Sequence, residues 1–227
     1  MDERGKIAVT GASGLVGRQL VEALRARGFA VLRLVRREPA GSDEASWDPS
    51  RGTIDEQALA GITGAVHLAG DNVASGRWTE AKKERIRDSR VQGTELLARA
   101  LSALDPKPSV LVSASAIGYY GVRGAEVLDE AASAGNGFLA SVCQEWEAAT
   151  SPAREAGIRV VNARIGIVLA SDGGALAKMK TPFLLGVGGR IGDGTQYMSW
   201  ITLDDLVAAL VFALEHSDVA GPVNMVS

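Results

Sequence analysis

A glycine-rich turn between a short apolar run and an amphipathic segment constrains this chain more than any other feature. The run Ile7–Thr10 is followed by three glycines at spacing three, and apolar residues then recur at helical spacing. The pattern predicts a strand, a tight turn and a helix whose first N–H groups bind a diphosphate. A turn that merely needs flexible residues is the alternative, although three spaced glycines exceed that need. The residues predicted to contact a dinucleotide here are Thr10, Gly11, Ser13, Gly14, Leu15, Val16 and Gly17.

The second predicted strand, Phe29 to Val35, ends in a pair of arginines, Arg36 and Arg37. In a nucleotide-binding βαβ unit this position meets the adenosine ribose, where a carboxylate favours NAD and an arginine accommodates the 2′-phosphate of NADP. No carboxylate occurs between the end of this strand and Glu38, and guanidinium groups bind phosphate in charge-assisted pairs. The pair therefore favours NADP over NAD, with two solvated surface arginines as the alternative.

A third buried strand, Ala65 to Leu68, is followed by small residues that would let the backbone lie against the adenosine side of a dinucleotide. This pattern adds Leu68, Ala69 and Gly70 to the predicted cofactor site. His67 lies inside the apolar run, and we expect it to be a buried, hydrogen-bonded structural histidine.

Composition limits the partners and the compartment. The 227 residues carry 24 basic and 27 acidic side chains, a net charge of −3, which gives no reason to expect nucleic acid or an anionic membrane as partner. No apolar run approaches the roughly 18 residues of a membrane span, and no signal peptide pattern begins at Met1. The single Cys143 fits a reducing compartment. We expect a cytoplasmic protein with a small-molecule substrate and no metal site; a homodimer is left open.

The order of the predicted elements indicates the fold class. Strands and helices alternate up to about residue 170, which predicts a Rossmann-type α/β domain: a doubly wound, mostly parallel sheet with helices on both faces. Residues 171–194 are rich in glycine and contain the apolar segment Pro182–Leu185. We interpret residues 171–227 as the start of a smaller substrate lobe that is incomplete.

These motifs together resemble the extended short-chain dehydrogenase/reductase superfamily, of the NAD(P)-dependent epimerase/dehydratase type. The resemblance covers nearly the whole chain and is carried by Thr10–Gly17, His67–Gly70, Ser113–Ser115 and Trp200–Asp205. The segments Ser113–Gly121, Gly173–Leu176 and Gly194–Trp200 are similar to an atypical branch of the epimerase family, whose members usually continue into a further C-terminal segment.

The resemblance implies a serine that orients the substrate oxygen, and a tyrosine that transfers a proton with the help of a lysine four residues later. Tyrosine needs such help because its unperturbed pKa is about 10. No Tyr-x-x-x-Lys occurs in this chain. When Ser115 takes the serine position, the usual tyrosine and lysine fall near Leu139 and Cys143.

Three interpretations stay open. The first is an NADP-dependent oxidoreductase or epimerase that acts by hydride transfer at a hydroxyl or carbonyl carbon. In it, Tyr119 or Tyr120 is the proton-transfer group beside Ser115, and Arg123 stabilises the phenolate. The chain can instead be a non-catalytic NADP-binding regulator or sensor. Catalysis by Cys143 is the third, although a lone helical cysteine is more often an inert buried residue.

Overall fold

The computed structural model describes residues 4–171, 173–190 and 192–227. A short 3₁₀ helix, Ile117–Tyr120, follows the sixth strand. The other elements, in chain order, are β1 (Lys6–Thr10), α1 (Leu15–Ala26), β2 (Ala30–Val35), β3 (Glu44–Asp48), β4 (Thr53–Ile54), β5 (Ile62–His67), α2 (Glu80–Ala103), β6 (Val110–Ala116), α3 (Phe138–Ala148), α4 (Ser151–Glu155), β7 (Arg159–Ile165), β8 (Ile167–Ala170), α5 (Gly174–Leu184), β9 (Trp200–Thr202), α6 (Leu203–Glu215) and β10 (Gly221–Met225).

The main sheet confirms the predicted doubly wound α/β fold. Its strand order is β10-β7-β6-β5-β1-β2-β3-β4, and every neighbouring pair is parallel except β3 with β4. Helices α1 and α6 pack together on one face, and α2, α3 and α4 cover the other. The strand order reverses between β1 and β5, and in open α/β sheets such a reversal forms a crevice beyond the carboxyl ends of the two strands. Open α/β sheets bind ligands at this point.

Helix α1 forms where the spacing of apolar residues predicts it. Leu20, Val21 and Leu24 are buried on one stripe and join the core between the sheet and α6. The helix ends before Gly28, which has a φ of +85°, a left-handed conformation that glycine adopts without strain.

The residues after 170 are divided between the main sheet and a smaller unit. Strands β8 and β9 pair with each other in a separate two-stranded sheet, and no described residue of α5 is buried. Helix α6, in contrast, packs its apolar face against α1, and β10 extends the main sheet beside β7. The boundary at residue 170 stays a prediction, but the part that stands apart from the main layers is β8, α5 and β9 rather than all of residues 171–227.

The apolar sequence from Arg159 to Leu169 indicates a single strand, but the structure interrupts it at Gly166. The main sheet keeps β7, and β8 leaves it to pair with β9. A side chain on Gly166 would place its Cβ 3.1 Å from the carbonyl oxygen of Ser199, which explains why the two segments approach each other at a glycine. None of the helices within the described ranges combines the length and apolar character that crossing a membrane requires.

Candidate functional site

Two of the three spaced glycines, Gly11 in the turn after β1 and Gly17 in the first turn of α1, are required by backbone packing. Gly11 has a φ of +68°, and a Cβ on it would lie 2.8 Å from the carbonyl carbon of Leu68 and 2.9 Å from the nitrogen of Ala69. A Cβ on Gly17 would lie 2.1 Å from the oxygen of Gly11. The turn is therefore pressed between the first turn of α1 and the segment that follows β5.

The start of α1 is open to an anion. Gly14 is its N-cap and has no side chain to accept a hydrogen bond, and Arg18 is the first residue whose N–H bonds back to Gly14. No described residue accepts a hydrogen bond from the N–H groups of Leu15, Val16 or Gly17. Exposed Ser13 lies in the same turn. Unsatisfied N–H groups at the positive end of a helix dipole suit a diphosphate, so the residues present fit a dinucleotide.

Thr10 holds the two sides of the crevice together from beneath. Its Oγ1 accepts hydrogen bonds from the N–H groups of Leu68 (3.1 Å) and Ala69 (3.2 Å), and lies 2.8 Å from Nδ1 of His67. With both acceptor positions used, the hydroxyl proton is directed to Nδ1. The Thr10 side chain is buried, so any contact of Thr10 with a ligand would involve its backbone.

His67 is a buried structural residue, as the sequence predicts. Burial, together with the charge of Arg90, lowers its pKa to about 4, so the ring is neutral at physiological pH. A neutral ring is what the hydrogen bond from Thr10 requires, because Nδ1 must accept the proton.

The two arginines after β2 differ in what they bind. Arg37 forms two hydrogen bonds with Glu44, at 2.5 Å and 2.7 Å, and Arg33 pairs with the same carboxylate. The hydrogen bond from Arg37 holds the pKa of Glu44 below its usual value, so Glu44 stays ionised. Arg36 is exposed, and no described residue forms an ion pair or hydrogen bond with it. Of the predicted pair, Arg36 has the available guanidinium, and Arg37 supports the segment that carries it.

Lys82 and Arg90 anchor the loop after β5. Lys82 is buried, although a lysine on a helix surface is usually solvated: its Nζ contacts Asp71 Oδ2 (2.6 Å), the backbone oxygen of Asn72 (2.8 Å) and Ser75 Oγ (2.8 Å). All three acceptors belong to the loop after β5. The spacing of residues along α2 does not reveal this contact, because it depends on how the loop packs against the helix. The guanidinium of Arg90 packs against Gly70, whose Cβ, if present, would lie 3.3 Å from Arg90 Cζ. It donates to the backbone oxygen of Asp71.

A row of polar side chains crosses the carboxyl ends of β6, β7 and β10. Ser115, Arg164 and Asn224 are paired in register across the three strands. Ser115 Oγ donates to Glu147 Oε1 (2.7 Å), and Arg164 binds both oxygens of Glu147 at 2.9 Å. Burial alone would lower the pKa of Arg164, but its hydrogen bonds to Glu147 and Tyr120 more than offset this and raise the pKa. The row is therefore a charged network that is almost excluded from water.

The two tyrosines of the 3₁₀ helix have different environments. The Tyr120 hydroxyl accepts from Arg164 (2.9 Å) and donates to Asn224 Oδ1 (2.6 Å), and its side chain is buried. Tyr119 is partly exposed, and the Arg164 guanidinium carbon lies 3.5 Å from the centroid of its ring. Within the described ranges, the Tyr119 hydroxyl forms no hydrogen bond. Tyr120 is thus held by the network, whereas Tyr119 keeps its hydroxyl available.

Leu139 and Cys143 lie where the superfamily resemblance puts the tyrosine and lysine. A Cβ on Gly118 would lie 3.5 Å from Leu139 Cβ and 3.7 Å from Cys143 Sγ, so both side chains face the turn that follows β6. Burial, with a further contribution from Glu147, raises the pKa of Cys143 to about 11. Because the thiolate is the reactive form, this argues against the cysteine mechanism.

Arg123, the residue predicted to stabilise a phenolate, pairs with Glu126 and donates to the backbone oxygen of Ser133.

Sequence reasoning missed Glu147 and Asn224, which complete the polar row. Arg164 does draw attention in the sequence, since a charged residue inside an apolar strand needs a partner. Its partner comes from a helix 17 residues away, and nothing in the spacing identifies which carboxylate that is.

The comparison with known proteins identifies the family. The model of the NAD dependent epimerase/dehydratase family matches residues 7–226. The chain belongs to this family. An epimerase family protein of Mycobacterium bovis is 48% identical over 219 residues, which are 96% of this chain and 72% of the relative. A chloroplastic relative from Arabidopsis thaliana is 37% identical and is matched over 65% of its length.

Solved structures of family members share the fold. A nucleoside-diphosphate sugar epimerase from Corynebacterium glutamicum superposes with a TM-score of 0.87 at 40% identity; the match covers 98% of this chain and 46% of that protein. The human epimerase family protein SDR39U1 (isoform 2), solved with NADPH, gives a TM-score of 0.86 at 33% identity, covering 97% of this chain and 74% of that one. The chain thus spans less than half of the Corynebacterium protein and about three quarters of the human one. It is an NAD(P)-binding member of the epimerase/dehydratase family.

Proposed function

We propose that this chain binds NADP(H) and acts as an oxidoreductase or epimerase on the hydroxyl or carbonyl carbon of a small molecule. The observation that carries the proposal is the open start of α1. Three successive N–H groups, at Leu15, Val16 and Gly17, find no acceptor among the described residues, and the turn beneath them is fixed by glycine packing. This arrangement suits a diphosphate.

The preference for NADP rests on Arg36. It lies directly after β2, where a βαβ unit meets the adenosine ribose, and its guanidinium is exposed. Arg37 contributes indirectly, because its pairing with Glu44 fixes the backbone that presents Arg36. The human relative solved with NADPH is consistent with this choice.

A bound nicotinamide supplies hydride exchange with a carbon atom, and the protein's own residues must bind, orient and exchange a proton. Tyr119 is the proposed proton-transfer group, since its hydroxyl forms no hydrogen bond with a described residue and the Arg164 cation lies over its ring. The proton of Ser115 is directed to Glu147, so Ser115 can only accept a hydrogen bond from a substrate hydroxyl. Tyr120 is a positioning residue held by Arg164 and Asn224.

A non-catalytic NADP-binding regulator is the second candidate. The observation that favours it is the pair Leu139 and Cys143, which face the turn after β6 and cannot replace a tyrosine and a lysine. A cytoplasmic location, a homodimer, and the absence of nucleic-acid and membrane partners stay predictions from the sequence.

Thermal shifts with NADPH and NADH test cofactor choice. We expect NADPH to raise the melting temperature more than NADH in the wild type, and Arg36→Ala to remove the difference. Losing one charge-assisted bond to phosphate corresponds to about 1.5–3 kcal/mol. Arg99→Ala, an exposed arginine on α2, is the control that should keep the difference. Equal shifts in the wild type would refute the assignment of Arg36.

Turnover separates enzyme from regulator. NADPH oxidation is followed with a panel of aldehydes and ketones, and Tyr119→Phe should abolish it while leaving the NADPH-induced thermal shift unchanged. Binding of NADPH without turnover of any carbonyl would favour the regulator.

A further inference from the structure

We infer that the substrate of this site carries an apolar body, aromatic or branched aliphatic, which packs on a wall formed by Val73, Trp78, Phe138 and Leu139. This inference rests on the proposed function, because it names the substrate class of the same site. The name of the Corynebacterium glutamicum protein, a nucleoside-diphosphate sugar epimerase, would instead suggest a sugar nucleotide. We call these four residues the apolar wall.

The apolar wall lies at the carboxyl edge of the sheet, beside the polar row. Helices α2 and α3 both follow loops that leave the carboxyl ends of parallel strands, and Trp78 and Phe138 stand at their beginnings. Leu139 faces the turn after β6, as its 3.5 Å distance from a Cβ on Gly118 shows. The wall therefore borders the place where Tyr119 and the end of β6 meet the crevice.

Three members of the wall, Val73, Trp78 and Phe138, are joined by direct contacts. The rings of Trp78 and Phe138 pack edge to face, with centroids 5.7 Å apart, and Trp78 Nε1 donates to the oxygen of Val73 at 2.8 Å. The loop behind them is fixed by the contacts of buried Lys82. Because the loop has a firm anchor, its apolar side chains cannot simply fold inward to escape water.

The wall is nevertheless exposed. Val73, Trp78 and Leu139 are 36%, 42% and 39% exposed, although each is large and apolar. Neighbouring apolar side chains that stay exposed at the mouth of a crevice are typical of a ligand-binding surface, where the ligand supplies the missing contact. Leu139 also places an alkyl group at the position where the superfamily resemblance implies the hydroxyl-bearing ring of a tyrosine.

The chemistry of the wall selects an uncharged, apolar partner. Two lysines approach the wall: Lys83 Nζ lies 5.9 Å from the Phe138 centroid and pairs with Glu80 at 2.8 Å, and Lys178 Nζ donates to the backbone oxygen of Ala74 at 3.5 Å. A sugar nucleotide would bring a second diphosphate and many hydroxyl groups, which rings and alkyl groups cannot hydrogen-bond. When an aromatic or branched ketone packs on the wall, apolar surface of the ketone and apolar surface of the wall are both removed from water, which favours binding.

Calorimetric titration of the full chain saturated with NADP⁺ tests the inference without turnover. The probes are 2-acetylnaphthalene and UDP-glucose. We expect the ketone to bind and UDP-glucose not to bind. Trp78→Ser and Leu139→Ser should each weaken the ketone about tenfold and leave the NADP⁺ affinity unchanged. Trp78→Phe keeps an aromatic ring and should retain most of the affinity. Val122→Ser, at a fully exposed position outside the wall, is the matched control.

The outcomes that contradict the inference differ from those that contradict the proposed function. UDP-glucose binding in place of the ketone, or undiminished ketone binding by Trp78→Ser, would overturn the apolar wall while NADP⁺ still binds. Failure of NADP⁺ itself to bind would instead refute the proposed function.

Discussion

Glu147 on α3 receives both arms of the Arg164 guanidinium, with Oε1–Nε and Oε2–Nη2 distances of 2.9 Å. Ser115 donates to the same carboxylate, and Arg164 continues to the Tyr120 hydroxyl. One ion pair thus fixes the end of β6, the 3₁₀ helix and α3 relative to each other. Its burial makes it sensitive to the loss of either partner.

Glu147→Gln should lower the free energy of unfolding by about 3–5 kcal/mol, because it leaves the buried Arg164 charge without its counterion. Urea denaturation measures the change. Glu145→Gln, two residues earlier on α3, removes an exposed ion pair with Arg87 and should cost about 1 kcal/mol or less. Similar losses in both variants would show that the Glu147–Arg164 pair is not excluded from water.

Gly17→Ala should destabilise the protein by about 1–3 kcal/mol or more and weaken dinucleotide binding, since the new Cβ would lie 2.1 Å from the backbone oxygen of Gly11. In Gly14→Ala the new Cβ would lie 3.2 Å from the same oxygen of Gly11. The backbone at Gly14 is already extended, a conformation that alanine adopts, so the fold should persist. Denaturation and NADPH titration measure both effects. A fully stable Gly17→Ala protein would contradict the packing of the turn.

Lys82→Met should speed amide hydrogen exchange in residues 71–76 and lower stability by about 1–3 kcal/mol, because three acceptors of the loop lose their buried donor. Lys83→Met, at the adjacent half-exposed lysine, should leave exchange in the loop unchanged. Equal exchange in both variants would show that Lys82 does not anchor the loop.

His67 should make stability depend on pH between about 6.5 and 4. The folded protein keeps the ring neutral until pH falls to about 4, whereas an unfolded histidine takes up a proton near 6.5. Its contribution is therefore complete above about 6.5 and is lost as pH falls, by about 3 kcal/mol in total. Unfolding free energies measured from pH 7.5 to 4.5 should fall less steeply in His67→Asn, which can still accept a bond from Thr10. Parallel curves would contradict the lowered pKa.

Much of the fold could be read from the sequence because its signals are local. The glycines at spacing three, the apolar stripe of α1 and the alternation of elements predict a strand–turn–helix unit within a doubly wound sheet, and the structure has it. The tail Val223–Val226 also reads as strand-like. Its place in the main sheet beside β7, rather than in a second lobe, depends on long-range pairing and was not predicted.

The candidate site shows the same division between local and distant information. The sequence by itself determined the glycine-rich turn between β1 and α1, because a backbone that must pass close to itself admits only glycine at Gly11 and Gly17. It also determined that the superfamily's tyrosine and lysine are absent.

Only the tertiary structure decided which of two similar neighbouring residues is bonded to another part of the protein and which has its polar group exposed for a ligand. Arg37 is held by Glu44 while Arg36 stays exposed, and Tyr120 is held by Arg164 while Tyr119 keeps its hydroxyl. These pairings join residues from separate elements of the sheet. An ion pair or hydrogen bond depends on distance and direction in space, and spacing along the chain carries neither once the elements have packed.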